Sequence, residues 1–172
     1  MSTIQGGTSR VESDSTDQSR VFPPVIAKTL SAVCDIIIPP DEKSGSAKDA
    51  GVSEFLQYVA RHSSRHFRRL VGGVLWLNAF CSVRYGTPFL NCGNDQQMEV
   101  IDLIAFRRNA EIDPSLSAGI EFFAFLRRET LDAFYTSRTG IIDLDYQGNQ
   151  IVTEFPGCPP DPDDPTKRSS TG

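Results

Sequence analysis

The segment between Ile120 and Leu126 constrains the fold more than any other part of the sequence. It contains three phenylalanines and hardly a polar position over nearly two helical turns. A helix on the surface of a bundle normally has a polar face, and one that is apolar on almost every side is either central in its own core or lies at an interface. We therefore expect a central core helix here, with partner contact as the second interpretation.

Apolar residues recur at helical spacing along most of the chain, and strand-like alternation never lasts for more than a few residues. The first helix is predicted to follow Pro23-Pro24, since proline suits a first turn, and to stop at Pro39-Pro40. Further helices are predicted to begin near Ser53, at Ser63 or Ser64, at Asn94 or Asp95, and at about Ser115, the last of them running to Thr136. Residues 141–146 and 149–155 are expected to form at most a short strand or an extended arm. The sequence thus predicts an all-α fold, a compact bundle of about five helices with an irregular C-terminal arm.

Composition divides the 172 residues into one domain with tails. Residues 1–20 are mainly Ser, Thr, Gly, Gln and charged residues, and residues 161–172 are mainly Pro, Asp and Ser, so both ends are expected to be disordered. Residues 21–142 are predicted to form the helical domain and residues 143–160 the C-terminal arm. The net charge of −5 is spread along the chain, which argues against nucleic acid as the main partner.

The two histidines are the strongest candidates for a metal or catalytic site. His62 and His66 are four residues apart in a run that also contains four arginines. On one helix this spacing places both imidazoles on the same face, as metal ligands require. No Asp, Glu or Cys lies nearby in the sequence to complete a site, and the arginines would repel a cation. A solvated basic face is the simpler interpretation, and docking on an acidic partner or on lipid headgroups is a further one.

The sequence contains none of the common cofactor motifs. There is no GxGxxG or GxxxxGK[ST] phosphate loop, and Gly72-Gly73, inside a predicted helix, is better explained by the close approach of another helix. The four cysteines lack CxxC or CxxCH spacing, which argues against zinc and c-type haem. Cys34 and Cys81 are expected to be buried, inert thiols. No catalytic, cofactor-binding or metal-ligating residue is therefore predicted.

Several segments resemble, in the same order, those of a known family. The C-terminal FYTS at 134–137, Gly140, YQGN at 146–149 and FPGC at 155–158 resemble the end of the gluconate 2-dehydrogenase subunit 3 family. The earlier CDIIIP at 34–39, SAKDAGV at 46–52 and Phe55 are similar to that family's opening. Two further segments, GVLWL at 73–77 and YGTPF at 85–89, are similar to the middle of that family's sequences. Together the segments cover roughly residues 25–158.

The resemblance implies a small non-catalytic subunit of a membrane-associated, FAD-dependent sugar, polyol or gluconate dehydrogenase. The expected partner is a flavoprotein of the glucose-methanol-choline type, which binds FAD, often with a multihaem cytochrome c that takes the electrons. This chain would bind neither FAD nor haem, and would stabilise, mature or escort the catalytic subunit. Two alternatives stay open: a stand-alone enzyme with a site near His62 and His66, and a membrane-surface or cytoplasmic adaptor that uses the arginine cluster.

The partner surface is predicted to combine the fifth helix with the C-terminal arm. Aromatic residues in a segment of little periodicity need a surface to lie on, which is either the chain's own bundle or another subunit. The predicted contact residues are Phe122, Phe125, Tyr146, Asn149, Phe155 and Cys158. Cys158 lies between Gly157 and Pro159, and an odd exposed cysteine in an exported protein suggests intermolecular pairing. A disulfide to the catalytic subunit is therefore a hypothesis, with a free thiol as the alternative in a reducing compartment.

The expected location is the periplasm, as part of a complex. The first twenty residues contain neither the apolar core of an export signal nor a twin arginine, so either the partner carries the signal or this chain is a processed or cytoplasmic form. A cytoplasmic location is the alternative. The longest apolar runs fall far short of the about 18 residues that indicate a transmembrane helix.

Overall fold

The computed structural model describes residues 20–42, 44–146 and 148, which form seven α-helices and two 3₁₀ turns and contain no β-strand. The helices are α1 (Pro24–Ile37), α2 (Val52–His62), α3 (Ser64–Tyr85), α4 (Asn94–Ala105), α5 (Asn109–Ile112), α6 (Ser117–Thr136) and α7 (Arg138–Asp143), with 3₁₀ turns at Phe89–Asn91 and Pro114–Leu116. The predicted all-α fold is confirmed. The five predicted helices correspond to α1, α2, α3, α4 and α6, and the short α5 and α7 are additional.

The structure confirms the predicted start of α3 and moves the predicted start of α4. Ser63 caps α3, its hydroxyl accepting a hydrogen bond from the backbone N–H of His66 at 3.4 Å. Gly86 ends the same helix in the left-handed conformation, with φ of 75°. The predicted cap of α4 at Asn94 or Asp95 is wrong by one residue. Gly93 precedes that helix, and its N–H donates to Oε1 of Gln96 at 3.0 Å.

Helix α6 is the central element of the bundle, as its apolar sequence predicted. It packs against α1, α2, α3 and α4, and α7 folds back from its C-terminal end. Its buried residues are Gly119, Ile120, Phe122, Phe123, Phe125, Leu126, Thr130, Ala133 and Phe134. Burial on so many sides explains why the segment has almost no polar face.

Two glycines allow α3 and α6 to cross closely, and each receives an aromatic ring from the other helix. A Cβ atom at Gly73 of α3 would lie 1.8 Å from Cδ2 of Phe122 in α6. A Cβ atom at Gly119 of α6 would lie 2.2 Å from the indole ring of Trp76 in α3. The prediction that a glycine of the Gly72-Gly73 pair permits a close helix approach is confirmed for Gly73.

Helix α7 and the turn after it correct the expectation of a short strand or extended arm for residues 141–146, whereas residues 149–155 lie outside the described residues. The hydroxyl of Ser137 accepts a hydrogen bond from the N–H of Gly140 at 3.1 Å and so caps the helix. Gly140 itself is buried, and a Cβ atom there would lie 2.2 Å from the carbonyl oxygen of Phe134. Six residues are too few to show a helical period, so the local capping and the glycine decide the structure. None of the helices formed by the described residues is both long and apolar enough to cross a bilayer.

Candidate partner interface

Phe122 and Phe125, the two α6 residues predicted to face a partner, are buried in the chain's own core. Their side chains are only 5% and 4% exposed. Phe122 fills the space over Gly73, and the Phe125 ring lies beneath the guanidinium of Arg69, 4.0 Å from the ring centroid. The expected exposed patch at these two residues is therefore corrected. The sequence pattern showed that the helix is apolar all round, but not that α3 covers it.

Tyr146 is the first of the predicted contact residues in the arm, and its side chain is 55% exposed. It follows the turn after α7, in which Asp145 has a left-handed backbone with φ of 50°. The other predicted arm residues, Asn149, Phe155 and Cys158, lie outside the described residues.

Six apolar side chains are exposed in the last two turns of α6, on α7 and in the turn after α7. We call this group the C-terminal apolar surface, and its members are Leu131, Tyr135, Ile141, Ile142, Leu144 and Tyr146, which are 36–63% exposed. Leu131 and Tyr135 are four residues apart on α6, which places them on one helix face. The remaining four belong to α7 and to the turn that follows it. Single exposed apolar residues are ordinary, but a group of them rimmed by polar residues typically marks an interaction site.

Tyr146 is the one member of this surface that is among the contact residues predicted from the sequence. Ile141, Ile142 and Leu144 stood in a segment expected to be extended, where neighbouring side chains would have pointed to opposite faces. Instead, Gly140 of α7 packs against the backbone of Phe134 and Tyr135 at the end of α6, and Ile141 and Ile142 follow it within the same short helix. The short pair Ile141-Ile142 was the only available signal.

His62 and His66 do not share a helix face, which corrects the geometry expected for metal ligands. His62 is the last residue of α2, and its Nδ1 lies 2.8 Å from the carbonyl oxygen of Tyr58. Ser63 has an extended backbone, with φ of −138° and ψ of 108°, so the chain changes direction before α3 begins. In the first turn of α3, Nδ1 of His66 lies 2.9 Å from the hydroxyl of Ser63.

A carboxylate that the sequence did not reveal lies beside His66. Oε2 of Glu129, on α6, is 3.6 Å from Nε2 of His66, and its Oε1 accepts a hydrogen bond from Arg128 at 3.0 Å. Glu129 is 63 residues away in the chain, and only the packing of α3 on α6 brings it close. Among the described residues, no group of three or more His, Cys, Asp or Glu side chains is arranged to hold a metal ion.

Four arginines surround a cleft of about 540 Å³ on the outer side of α6. We call it the arginine cleft; its basic residues are Arg69, Arg107, Arg127 and Arg128, and its other lining residues are Ala105, Ile120, Glu121, Phe123, Ala124 and Phe125. Of the arginine run in the sequence, only Arg69 lines this cleft. The other three come from α6 and from the turn after α4, so the arginine cluster in the sequence is not the one that the fold builds.

The described cysteines are buried, as predicted for Cys34 and Cys81. Burial raises the pKa of the Cys34 thiol to about 12, although the hydroxyl of Thr130, 3.2 Å from its sulfur, favours the thiolate. Burial also raises the pKa of Cys81 to about 12, and the adjacent Cys92 thiol adds to the effect. These thiols are therefore poor nucleophiles, because the thiolate is the reactive form.

The described residues thus define a small helical protein with two distinctive surfaces, one apolar and one rich in arginine. The sequence matches the gluconate 2-dehydrogenase subunit 3 family over residues 26–157. This match covers more than three quarters of the chain, and the chain belongs to that family. The family consists of small accessory subunits of a dehydrogenase complex. Neither the curated proteins nor the solved structures contain a match to the sequence.

Proposed function

We propose that the chain is a non-catalytic small subunit that binds an FAD-dependent catalytic subunit of the glucose-methanol-choline type and stabilises, matures or escorts it. The complex would oxidise gluconate or another sugar or polyol and pass electrons to a cytochrome c or a quinone. Family membership over residues 26–157 is the observation that carries this proposal. In the same proposal the complex is periplasmic, and FAD and haem belong to the partners.

The C-terminal apolar surface is the part of the described chain best suited to hold the catalytic subunit. Ile142 is 63% exposed and Leu144 is 58% exposed. Complete burial of such a side chain contributes about 1.5–3 kcal/mol, so covering the exposed part of each would contribute about 1–2 kcal/mol. Binding of a partner that covers these two side chains would gain this free energy.

The position of this surface in the chain also supports the proposal. Tyr146 belongs to it and is at the same time the first residue of the segment that leads to Asn149, Phe155 and Cys158. The predicted contact residues of the arm therefore follow directly from the apolar surface. One continuous stretch of chain, from α7 onward, would then supply most of the contact with the catalytic subunit.

Co-purification of the catalytic subunit with this chain tests the proposed surface. In Ile142→Ser/Leu144→Ser, we expect the dissociation constant to rise about ten-fold or more, because two apolar contacts are lost. The matched control is Val83→Ser/Ile112→Ser, at side chains that are 89% and 83% exposed and lie elsewhere on the bundle. Equal binding by both double variants would exclude the C-terminal apolar surface as the interface.

Cofactor content and activity test the role itself. The chain purified alone is expected to lack flavin, haem and zinc, whereas the co-purified complex carries FAD and oxidises the sugar or polyol. Stoichiometric cofactor in the isolated chain would overturn the accessory-subunit proposal. So would an activity of the isolated chain that is lost in His66→Ala, which would favour a stand-alone enzyme instead.

A further inference from the structure

The arginine cleft concentrates positive charge in a chain whose net charge is −5. Four guanidinium groups line it, and Glu121 is the one acidic residue among its lining residues. Two adjoining hollows of about 320 and 240 Å³ also include Glu121, so the depression extends along the outer side of α6. The second hollow adds Arg68 to the basic residues. The lining of the arginine cleft also includes apolar side chains such as Ile120 and Phe123.

Two arginines of the cleft lie over an aromatic ring, and three of the four have no anionic partner among the described residues. Arg69 and Arg128 lie over the Phe125 ring, 4.0 and 5.7 Å from its centroid. Arg128 also pairs with Glu129, whereas Arg69, Arg107 and Arg127 form no ion pair with another described residue. A guanidinium stacked on an aromatic ring keeps its N–H edge available for a carboxylate. The cleft is therefore preorganised for an acidic ligand.

The chain itself contains an acidic segment beyond the described residues. Asp161, Asp163 and Asp164 place three carboxylates within four positions, between Pro160 and Pro165. Prolines restrict the backbone of an unbound chain, so less conformational entropy is lost when such a segment is ordered. In charge, this segment complements the arginine cleft.

The length of chain available is sufficient for the acidic segment to reach the cleft. Asp161 lies thirteen positions after Gly148, and an extended chain spans up to about 3.5 Å per position, or roughly 45 Å. Along α6, the distance from Thr136 back to Ala124 is about 18 Å, at 1.5 Å per residue. A tether of this kind also gives an effective concentration in about the millimolar range, so a weak individual affinity is enough.

We propose that the acidic segment 161–164 docks in the arginine cleft of its own chain. The aspartates bind Arg107, Arg127 and Arg69. This inference is independent of the enzyme complex, because both the ligand and the site belong to one chain. An acidic segment of a partner protein and a free inorganic anion are the competing occupants.

Nuclear magnetic resonance of the full chain tests the docking directly. In Asp161→Asn/Asp163→Asn/Asp164→Asn, the side-chain Nε–H resonances of Arg69, Arg107 and Arg127 are expected to shift. Raising the salt concentration of the wild-type chain should shift the same resonances in the same direction, because screening weakens ion pairs. The control Glu42→Gln/Glu54→Gln removes exposed carboxylates elsewhere and should leave the three arginines unchanged.

A spin label at Cys158 locates the segment in space. The other cysteines are at most 8% exposed, which allows selective labelling, and Cys158 is three residues from Asp161. We expect the label to broaden resonances around Arg107 and Arg127, and Arg107→Gln/Arg127→Gln to reduce the docked fraction at least ten-fold. The matched control is Arg61→Gln/Arg65→Gln, in the basic run outside the cleft, which should not reduce it.

Four results would overturn the proposal. The first is an unchanged set of arginine resonances in the triple Asn variant. The second is broadening by the spin label at a different surface of the bundle. The third is saturable binding of inorganic phosphate to the wild-type cleft with no displacement of the label, which would assign the cleft to a free anion. Occupancy that appears only when the catalytic subunit is added would likewise assign it to the partner.

Discussion

Replacing Gly73 by alanine tests the close crossing of α3 and α6. The new Cβ would lie 1.8, 2.1 and 2.4 Å from three carbons of the Phe122 ring. Ordinary contact begins at about 3.4 Å, so the ring would have to move by roughly 1.6 Å. Phe122 is only 5% exposed and sits on the central helix, so neither the ring nor its backbone has free space to move into.

The expected loss of stability follows from two opposing effects. Alanine is favoured over glycine in a helix interior by about 1 kcal/mol. Inserting a methyl group into a packed core costs about 1–3 kcal/mol, and the displacement required here places Gly73→Ala at the upper end. The net destabilisation is therefore about 2 kcal/mol. In a chain of this length, that corresponds to a melting temperature lower by about 4–8 °C.

Equilibrium denaturant unfolding measures this effect as a lower midpoint with an unchanged slope. Gly72→Ala is the matched control, because Gly72 is exposed and a Cβ there has no neighbouring atom within 4 Å. It should raise the free energy of unfolding by about 0.5–1 kcal/mol, so the two adjacent substitutions should have opposite signs. Replacing the Phe122 ring with a smaller side chain in Gly73→Ala/Phe122→Leu should restore part of the lost free energy of unfolding. Equal stability of the two single variants would refute the glycine-aromatic packing.

Three further predictions concern single residues. Gly140→Ala should release α7, because its Cβ would lie 2.2 Å from the carbonyl oxygen of Phe134, and hydrogen exchange should accelerate in residues 138–146 while α3 stays protected. The pKa of Cys34 is raised to about 12 from 9.0, so the unfolded chain loses this proton at a lower pH than the folded chain does. The buried thiol therefore contributes fully to the free energy of unfolding below pH 9. This contribution, up to about 4 kcal/mol, is lost as the pH rises from 9 to 12. Cys34→Ala should flatten this part of the stability profile relative to the wild-type chain, whereas an identical profile would contradict the assignment. Cys158 is predicted to form a disulfide with the catalytic subunit in an oxidising compartment. On non-reducing gels the complex should then give a shifted band that vanishes in Cys158→Ser. Two separate bands for the wild-type complex would contradict the disulfide.

The sequence predicts best those features that depend on neighbouring residues. Proline and serine signals located the starts of α1 and α3, and the unbroken apolar run identified α6 as the central helix. Gly73 was predictable as a close-approach position because glycine inside a helix is costly without such a reason. These signals act within one or two turns of the chain, so a single sequence contains them.

Features built from distant residues were not predictable in this way. The arginine cleft combines Arg69, Arg107 and Arg127, which only the packing of α3 and the α4–α5 turn around α6 brings together. The contact between His66 and Glu129 has the same origin. Composition showed that arginines are numerous near His66, but a linear cluster does not reveal which of its members face one another.

The burial of Phe125 explains why tests of binding have to use exposed residues. Its ring is buried in the core, and the guanidinium groups of Arg69 and Arg128 lie over it. Truncation to alanine would cost about 3–5 kcal/mol of stability and would also disturb the cleft, so a loss of binding would have two causes. Arg107 and Ile142 are exposed, and their substitution changes one surface without opening a cavity. Since α6 carries the core and borders both surfaces, only such exposed substitutions separate stability from recognition.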